Sequence, residues 1–101
     1  MARQPLHDRL DETIHQRTRL AIMATLAAVE ELDFNDLKSQ LALSDGNLST
    51  HLTALERAGY VIIRKSFRGK TPRTTAQMTA KGSKAMTDYV NLLERLLGKA
   101  R

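Results

Sequence analysis

The stretch from Asp33 to Val61, DFNDLKSQLALSDGNLSTHLTALERAGYV, limits what this chain can fold into more than any other. Phe34, Leu37 and Leu41 recur at helical spacing, so a helix through them presents one apolar face. Asp33 stands where an N-cap belongs, its carboxylate placed to accept from first-turn N–H groups. Ala42, Leu43 and Ser44 then read as a tight turn, with Ser44 capping a second helix. In that helix Leu48, Leu52 and Leu55 fall at i, i+4 and i+7, a narrow apolar stripe. Gly59 follows where a chain leaves a helix through a left-handed residue, a conformation that a Cβ disfavours. Two short helices, a turn and a glycine stop in this order predict a helix-turn-helix over about residues 34–58.

The other side of the second helix carries the chemistry. At about 100° per residue, Gly46, Thr50, Thr53 and Arg57 lie opposite the leucine stripe, flanked by Asn47 and Ser49. Ordinary surface helices carry more Lys and Glu. Short, mostly uncharged polar side chains can instead approach a base edge closely and exchange hydrogen bonds with it. Ser44, at the start of the helix, belongs to the same candidate surface. His51 lies about 60° from the leucine stripe, which leaves open whether it borders the core or points outward with the polar face.

After Gly59 the period changes. Tyr60-Val61-Ile62-Ile63-Arg64 has the β-branched and aromatic composition of a strand. Ser66 to Thr71, with Gly69 between Arg68 and Lys70, reads as a hairpin turn, and Arg73 to Met78 as the return strand. Pro72, which donates no ladder hydrogen bond, confines that strand to an edge or to its own first residue. The hairpin over about residues 60–78 is basic: Arg64, Lys65, Arg68, Lys70 and Arg73 are candidate phosphate ligands, with Thr71, Thr74 and Thr75 as hydroxyl donors. Arginine also suits a narrow A·T minor groove. An edge hairpin kept unpaired by its charges is the bland alternative.

Leu43-Ser44, Leu48-Ser49, His51-Leu52, Leu55-Glu56 and Gly59-Tyr60-Val61 resemble the helix-turn-helix of winged-helix regulators of the MarR/ArsR type. Arg19-Leu20-Ala21-Ile22 resembles the first helix of small single-domain members, and the basic hairpin resembles their wing. The resemblance runs from about Leu10 to Leu97. It implies an α+β, mainly α, winged helix-turn-helix with a two-stranded β-wing and a long C-terminal dimerisation helix. It also implies a dimeric DNA-binding transcription factor, with the hairpin lying over the backbone or in the minor groove beside the recognition helix.

Charge distribution agrees with that expectation. The chain of 101 residues, expected to form one domain, carries a net +5. Residues 1–43 hold five basic and seven acidic side chains, whereas residues 44–101 hold eleven basic and four acidic. Between Arg57 and Thr87 there are eight basic residues and no acid. Such a run is commonly a solvated face, but beside a polar recognition-type helix it has the form of an electrostatic footprint for phosphates.

Outside this centre, Leu6, Leu10 and Ile14 recur every four residues and predict a short N-terminal helix after Pro5. Thr18 to Val29, rich in Ala, Leu, Ile and Met, predicts a second helix buried on most sides. Thr79 caps a last helix over about residues 80–97. There Gly82, Met86, Tyr89, Leu93 and Leu96 step as a heptad seam, with Ala85, Leu92 and Leu97 widening it. One stripe can pack internally; the surplus predicts a homodimer through Met86, Tyr89, Leu93 and Leu96 together with Leu6, Leu10 and Ile14. A twofold dimer would set two recognition helices about 34 Å apart, one turn of DNA.

The exclusions are as specific. The absence of cysteine removes disulfides and thiolate metal sites. His7, Asp11 and His15 share the spacing i, i+4, i+8, a conceivable metal site by analogy with some ArsR-type proteins, but a single helix supplies an incomplete ligand set. No metal or cofactor is expected. No nucleophile arrangement or Gly-rich phosphate loop followed by Lys is present, so an enzyme is not expected. The opening MARQPLHDRLDE lacks a signal peptide's apolar core, and Leu20 to Val29 is too short to cross a bilayer. A cytoplasmic protein is the expectation, with double-stranded DNA and a second copy of itself as partners and no membrane; the operator and any small-molecule effector stay undefined. The rival class is a winged helix used for protein–protein assembly, since fold alone does not set function.

Overall fold

The computed structural model describes residues 4–98. Four helices, α1 (Arg17–Ala27), α2 (Phe34–Leu41), α3 (Asp45–Arg57) and α4 (Ala80–Leu96), combine with strands β1 (Leu32–Asp33), β2 (Val61–Arg68) and β3 (Thr71–Met78). The sheet is antiparallel in the order β1-β3-β2. This is the mainly helical α+β winged helix-turn-helix that the sequence predicts. The expected two-stranded hairpin gains a third member, because Leu32 and Asp33 pair with Ala76 and Thr75. At Pro72 only β2 lies beside β3, opposite Phe67. That is the edge-like setting required by a residue with no N–H.

One core holds these elements together. The leucine stripe of α3 (Leu48, Leu52, Leu55) is buried against Ile22, Met23 and Leu26 of α1, Leu37 of α2, and Val61, Ala76 and Tyr89. Each of the buried Leu, Ile, Met and Val side chains contributes about 1.5–3 kcal/mol by leaving water. The helix α1 buries one side only; Ala24 and Ala27 are exposed, against the expectation of burial on most sides. Alanine raises an apolar count yet costs little in water, because it exposes little surface.

Both helices of the helix-turn-helix end in the same motif. After α3 the N–H of Tyr60 donates to the Leu55 carbonyl and that of Gly59 to Glu56, with Gly59 at φ +83°. After α2 the N–H of Leu43 donates to Lys38 and that of Ala42 to Ser39. Here the left-handed residue is Ala42, at φ +53°. The sequence marks the end of α3 with a glycine and gives no mark for the end of α2.

The N-terminal segment is not the helix that its leucine spacing predicts. Leu6–Arg9 form one 3-10 turn, and Leu10 is extended. Asp11 then accepts from the N–H groups of Thr13 and Ile14 at 2.9 and 3.1 Å. A short acidic side chain that bonds its neighbouring backbone offers the chain an alternative to helix.

The start of α4 is fixed by close approach. Thr79 accepts from the Gly82 N–H and donates to the Gly59 carbonyl, while its own N–H donates to the Tyr60 carbonyl. Gly82 lies directly on that carbonyl, and a Cβ there would fall 2.2 Å from the Tyr60 oxygen.

Candidate nucleic-acid interface

The interface is built outward from α3. Its buried stripe turns the opposite face to solvent, and Ser44 caps it by accepting from the Asn47 N–H at 3.1 Å. Lys38 of α2 pairs with Asp45 at the first turn, 2.7 Å away. Arg19 of α1 adds a brace that sequence reasoning missed: it donates to the Thr13 and Glu12 carbonyls and reaches His51 Nδ1 at 3.2 Å. A guanidinium only donates, so Nδ1 accepts and the neutral ring carries its proton on Nε2. Burial first, and the positive charge of Arg19 second, hold the His51 pKa below its ordinary value. His51 therefore lies at the edge of the core, half-buried against Arg19.

Gly46, Asn47, Ser49, Thr50 and Arg57 are exposed, and Thr53 is half-buried. Among the described residues, no hydrogen bond engages the side chains of Asn47, Ser49, Thr50 or Thr53. A cleft of about 700 Å³ separates α3 from the hairpin, with Ser49, Thr53 and Glu56 on one wall and Ile63, Lys65 and Thr74 on the other. Glu56 brings an acid into it.

The hairpin closes through the two residues Gly69 and Lys70, since Arg68 pairs directly with Thr71. Gly69, at φ +63°, takes the conformation open to glycine in such a turn. Lys65, Arg68 and Lys70 are exposed and enter no ion pair among the described residues. Thr71 is exposed; Arg64 is exposed and donates to the Gln77 side chain.

Arg73 departs from its expected role. Its Nη2 and Nε lie 2.7 and 2.8 Å from Asp33 Oδ1, which holds the guanidinium against β1 and raises its pKa through that hydrogen bond. The same pairing takes the Asp33 carboxylate away from α2: Asp33 is the N-cap residue by backbone, yet its side chain makes no cap hydrogen bond. A charge-assisted bond to arginine outcompetes a bond to a neutral N–H.

The expected dimer surface also divides. Ile14 and Tyr89 are 0% and 4% exposed within one chain, so they belong to its own core and have no area left for a partner. Leu6, Leu10, Met86 and Leu93 are half-buried, and Leu96 is 37% exposed. Val90 and Leu97 are exposed hydrophobics on or next to the same helix. The His7, Asp11 and His15 side chains do not converge as a ligand set. Asp11 accepts from the Tyr60 hydroxyl, His15 Nδ1 lies 2.8 Å from the Tyr89 hydroxyl, and His7 sits beside Asp8. Burial and the Asp11 carboxylate push the Tyr60 pKa up to about 12. Among the described residues no three His, Cys, Asp or Glu side chains group as metal ligands, and no helix is long and apolar enough to cross a membrane.

The model of the winged helix DNA-binding domain matches residues 18–97. An uncharacterized protein of Methanocaldococcus jannaschii is 40% identical over 72 residues, 71% of this chain and 78% of its own. The structure of a transcriptional regulator homologue from Pyrococcus horikoshii superposes with a TM-score of 0.82 at 27% identity, covering 87% of each chain. HlyU from Vibrio cholerae superposes with a TM-score of 0.62 at 29% identity, covering 84% of each. The matched family model is that of a DNA-binding domain, and the Pyrococcus structure is that of a transcriptional regulator homologue. The chain belongs to the winged-helix DNA-binding family of transcriptional regulators, of the MarR/ArsR-like type that its sequence resembles.

Proposed function

We propose that this regulator acts in the cytoplasm as a homodimer that binds specific duplex-DNA sequences, with α3 in the major groove and the hairpin as a wing on the backbone or in the minor groove. The observation that carries this reading is the mostly uncharged face of α3, whose Asn47, Ser49, Thr50 and Thr53 side chains have no hydrogen-bond partner among the described residues, standing one cleft away from the exposed Lys65, Arg68 and Lys70. Asn47, Ser49 and Thr50 lie in the first turns of α3, where this motif meets base edges. Lys65, Arg68 and Lys70 are placed to hold phosphates, with Arg64 and Thr71 beside them. An assembly module would instead present aliphatic or aromatic anchors on α3. Support for the homodimer comes from Val90, Leu96 and Leu97, which leave apolar surface at the end of α4.

Selection of bound sequences from a random duplex library tests the proposal. The expected product is a twofold-symmetric site with half-sites about one helical turn apart. Repeating the selection with Asn47→Ala should relax one base position per half-site, by about 1–3 kcal/mol of discrimination, while non-specific binding persists. A library that emerges without enrichment overturns sequence-specific binding, and an enriched site without symmetry overturns the dimer.

A further inference from the structure

Val61, Ile63, Lys65 and Phe67 alternate along one face of β2. Val61 is buried, and Ile63 and Lys65 line the cleft that Ser49 and Thr53 of α3 line from the other side. Phe67 is the next residue on that face, beyond the cleft, and is 72% exposed. It is the most exposed large hydrophobic side chain among the described residues. Directly across the ladder from it stands Pro72, also exposed. The pair precedes the closing pair Arg68–Thr71, so the phenyl ring is carried on a paired strand next to a two-residue turn.

A single exposed hydrophobic residue is ordinary. This one lies among Lys65, Arg68 and Lys70, three exposed cations without ion-pair partners among the described residues. An apolar protein surface gains nothing from three desolvated cations around its anchor. A polyanion whose interior is a stack of flat apolar rings matches both features at once. The ring is held at low conformational cost, because strand pairing fixes the backbone on both sides.

We propose that Phe67, backed by Pro72, is an apolar wedge that enters a base step of duplex DNA beside the site read by α3, while Lys65, Arg68 and Lys70 hold the neighbouring phosphates. Partial unstacking is easiest at pyrimidine–purine steps such as TA and CA. The wedge therefore adds specificity at flanking positions where no hydrogen bond reads a base, and it kinks the duplex. This inference rests on the DNA-binding reading above and goes beyond it by assigning a sequence preference to the wing.

The test runs the random-duplex selection with the full chain, with Phe67→Ala and with Phe67→Leu, and then measures bending of the selected duplex by gel mobility of circularly permuted fragments. The unchanged chain should enrich a flexible step at a fixed distance outside each half-site and bend the fragment. Phe67→Ala should keep the half-site sequence, lose the flanking step and bend less. Its affinity should fall about tenfold on a TA flank and less than about twofold on a stiff A-tract flank. Phe67→Leu, which keeps an apolar wedge, should restore most of the bend. The same flanking preference and bend in Phe67→Ala overturns the wedge while leaving DNA recognition by α3 intact. If the unchanged chain enriches no sequence, the DNA reading itself fails and the wedge with it. If Phe67→Ala weakens binding to a single-stranded oligonucleotide more than to the duplex, the ring is a stacking platform for unpaired bases and the wedge is overturned.

Discussion

Arg73 and Asp33 form a bond within the chain where sequence reasoning places two separate roles: both Nη2 and Nε of Arg73 contact the same carboxylate oxygen of Asp33. The pair ties β3 to the residue that opens α2, beside the ladder pairing of Asp33 with Thr75. The basic residues of the wing are therefore not equivalent. Arg68→Ala and Lys70→Ala should each weaken binding to every duplex and flatten the salt dependence by about one unit per lost phosphate contact. Arg73→Ala should leave that slope nearly unchanged and lower the melting temperature of the free protein. Salt-titrated affinity beside thermal unfolding separates the cases, and a slope change in Arg73→Ala as large as in Arg68→Ala would return Arg73 to the phosphate footprint.

Ala42 holds a left-handed conformation that costs an L-residue about 1–2 kcal/mol. Glycine removes that cost and adds unfolded-state entropy, so Ala42→Gly should stabilise the chain by roughly 0.5–1 kcal/mol. Gly59→Ala, at the matching position after α3, should destabilise it by a similar amount. Urea midpoint shifts of opposite sign are the expected result, and shifts of equal sign would mean that the two helix ends are not related as described.

Gly82 offers the reverse test. In an open helix, replacing glycine by alanine adds up to about 1 kcal/mol. At Gly82 the new Cβ would strike the Tyr60 carbonyl, which is itself bonded to the Thr79 N–H and cannot turn away cheaply. Gly82→Ala should destabilise by about 3 kcal/mol, as overpacking does. An unchanged unfolding midpoint would show that α4 slides freely against the strand.

His51 should make stability sensitive to acid. Its pKa is held below 6.5 in the folded chain, so the unfolded chain binds the proton first as pH falls. The contribution is fully present above 6.5 and is lost as pH drops through the lower folded value. His51→Gln, which still offers an acceptor to Arg19, should show a flatter fall of melting temperature below pH 6.5. Superimposable acid limbs would remove His51 as the source.

Leu96, exposed near the end of α4, tests the dimer without disturbing the core. Leu96 is 37% exposed, so a glutamate there costs far less in a monomer than the several kcal/mol it costs in an apolar interface. Leu96→Glu should sediment as a monomer, keep its helical circular dichroism and lose much of its DNA affinity, because linked binding of two half-sites is lost. A variant that stays dimeric places the interface elsewhere, with Leu6 and Leu10 as the next surface to alter.

Much of this architecture is legible in the sequence because its causes are local. Leu48, Leu52 and Leu55 recur at the helical period, Ser44 and Thr79 stand at caps, and Gly59 and Gly69 stand where φ is positive. Such signals act over a few residues and survive whatever the rest of the chain does. The α3 surface is readable for the same reason: burying the leucine stripe fixes which residues face out.

What only the tertiary structure decided depends on groups that meet across long separations. Arg73 and Asp33 each carry a sound local role until the sheet brings them together, and a charge-assisted pair then outcompetes both roles. The heptad steps of α4 mark Tyr89 as apolar without saying which chain covers it, and Ile14 and Tyr89 turn out to be covered by their own. His7, Asp11 and His15 keep helical spacing on paper, but Asp11 bonds the local backbone and the Tyr60 hydroxyl, and no helix forms through them. Periodicity determines which residues leave water together; only the packed chain determines which neighbour covers each one, because that choice is made by competition among partners far apart in sequence.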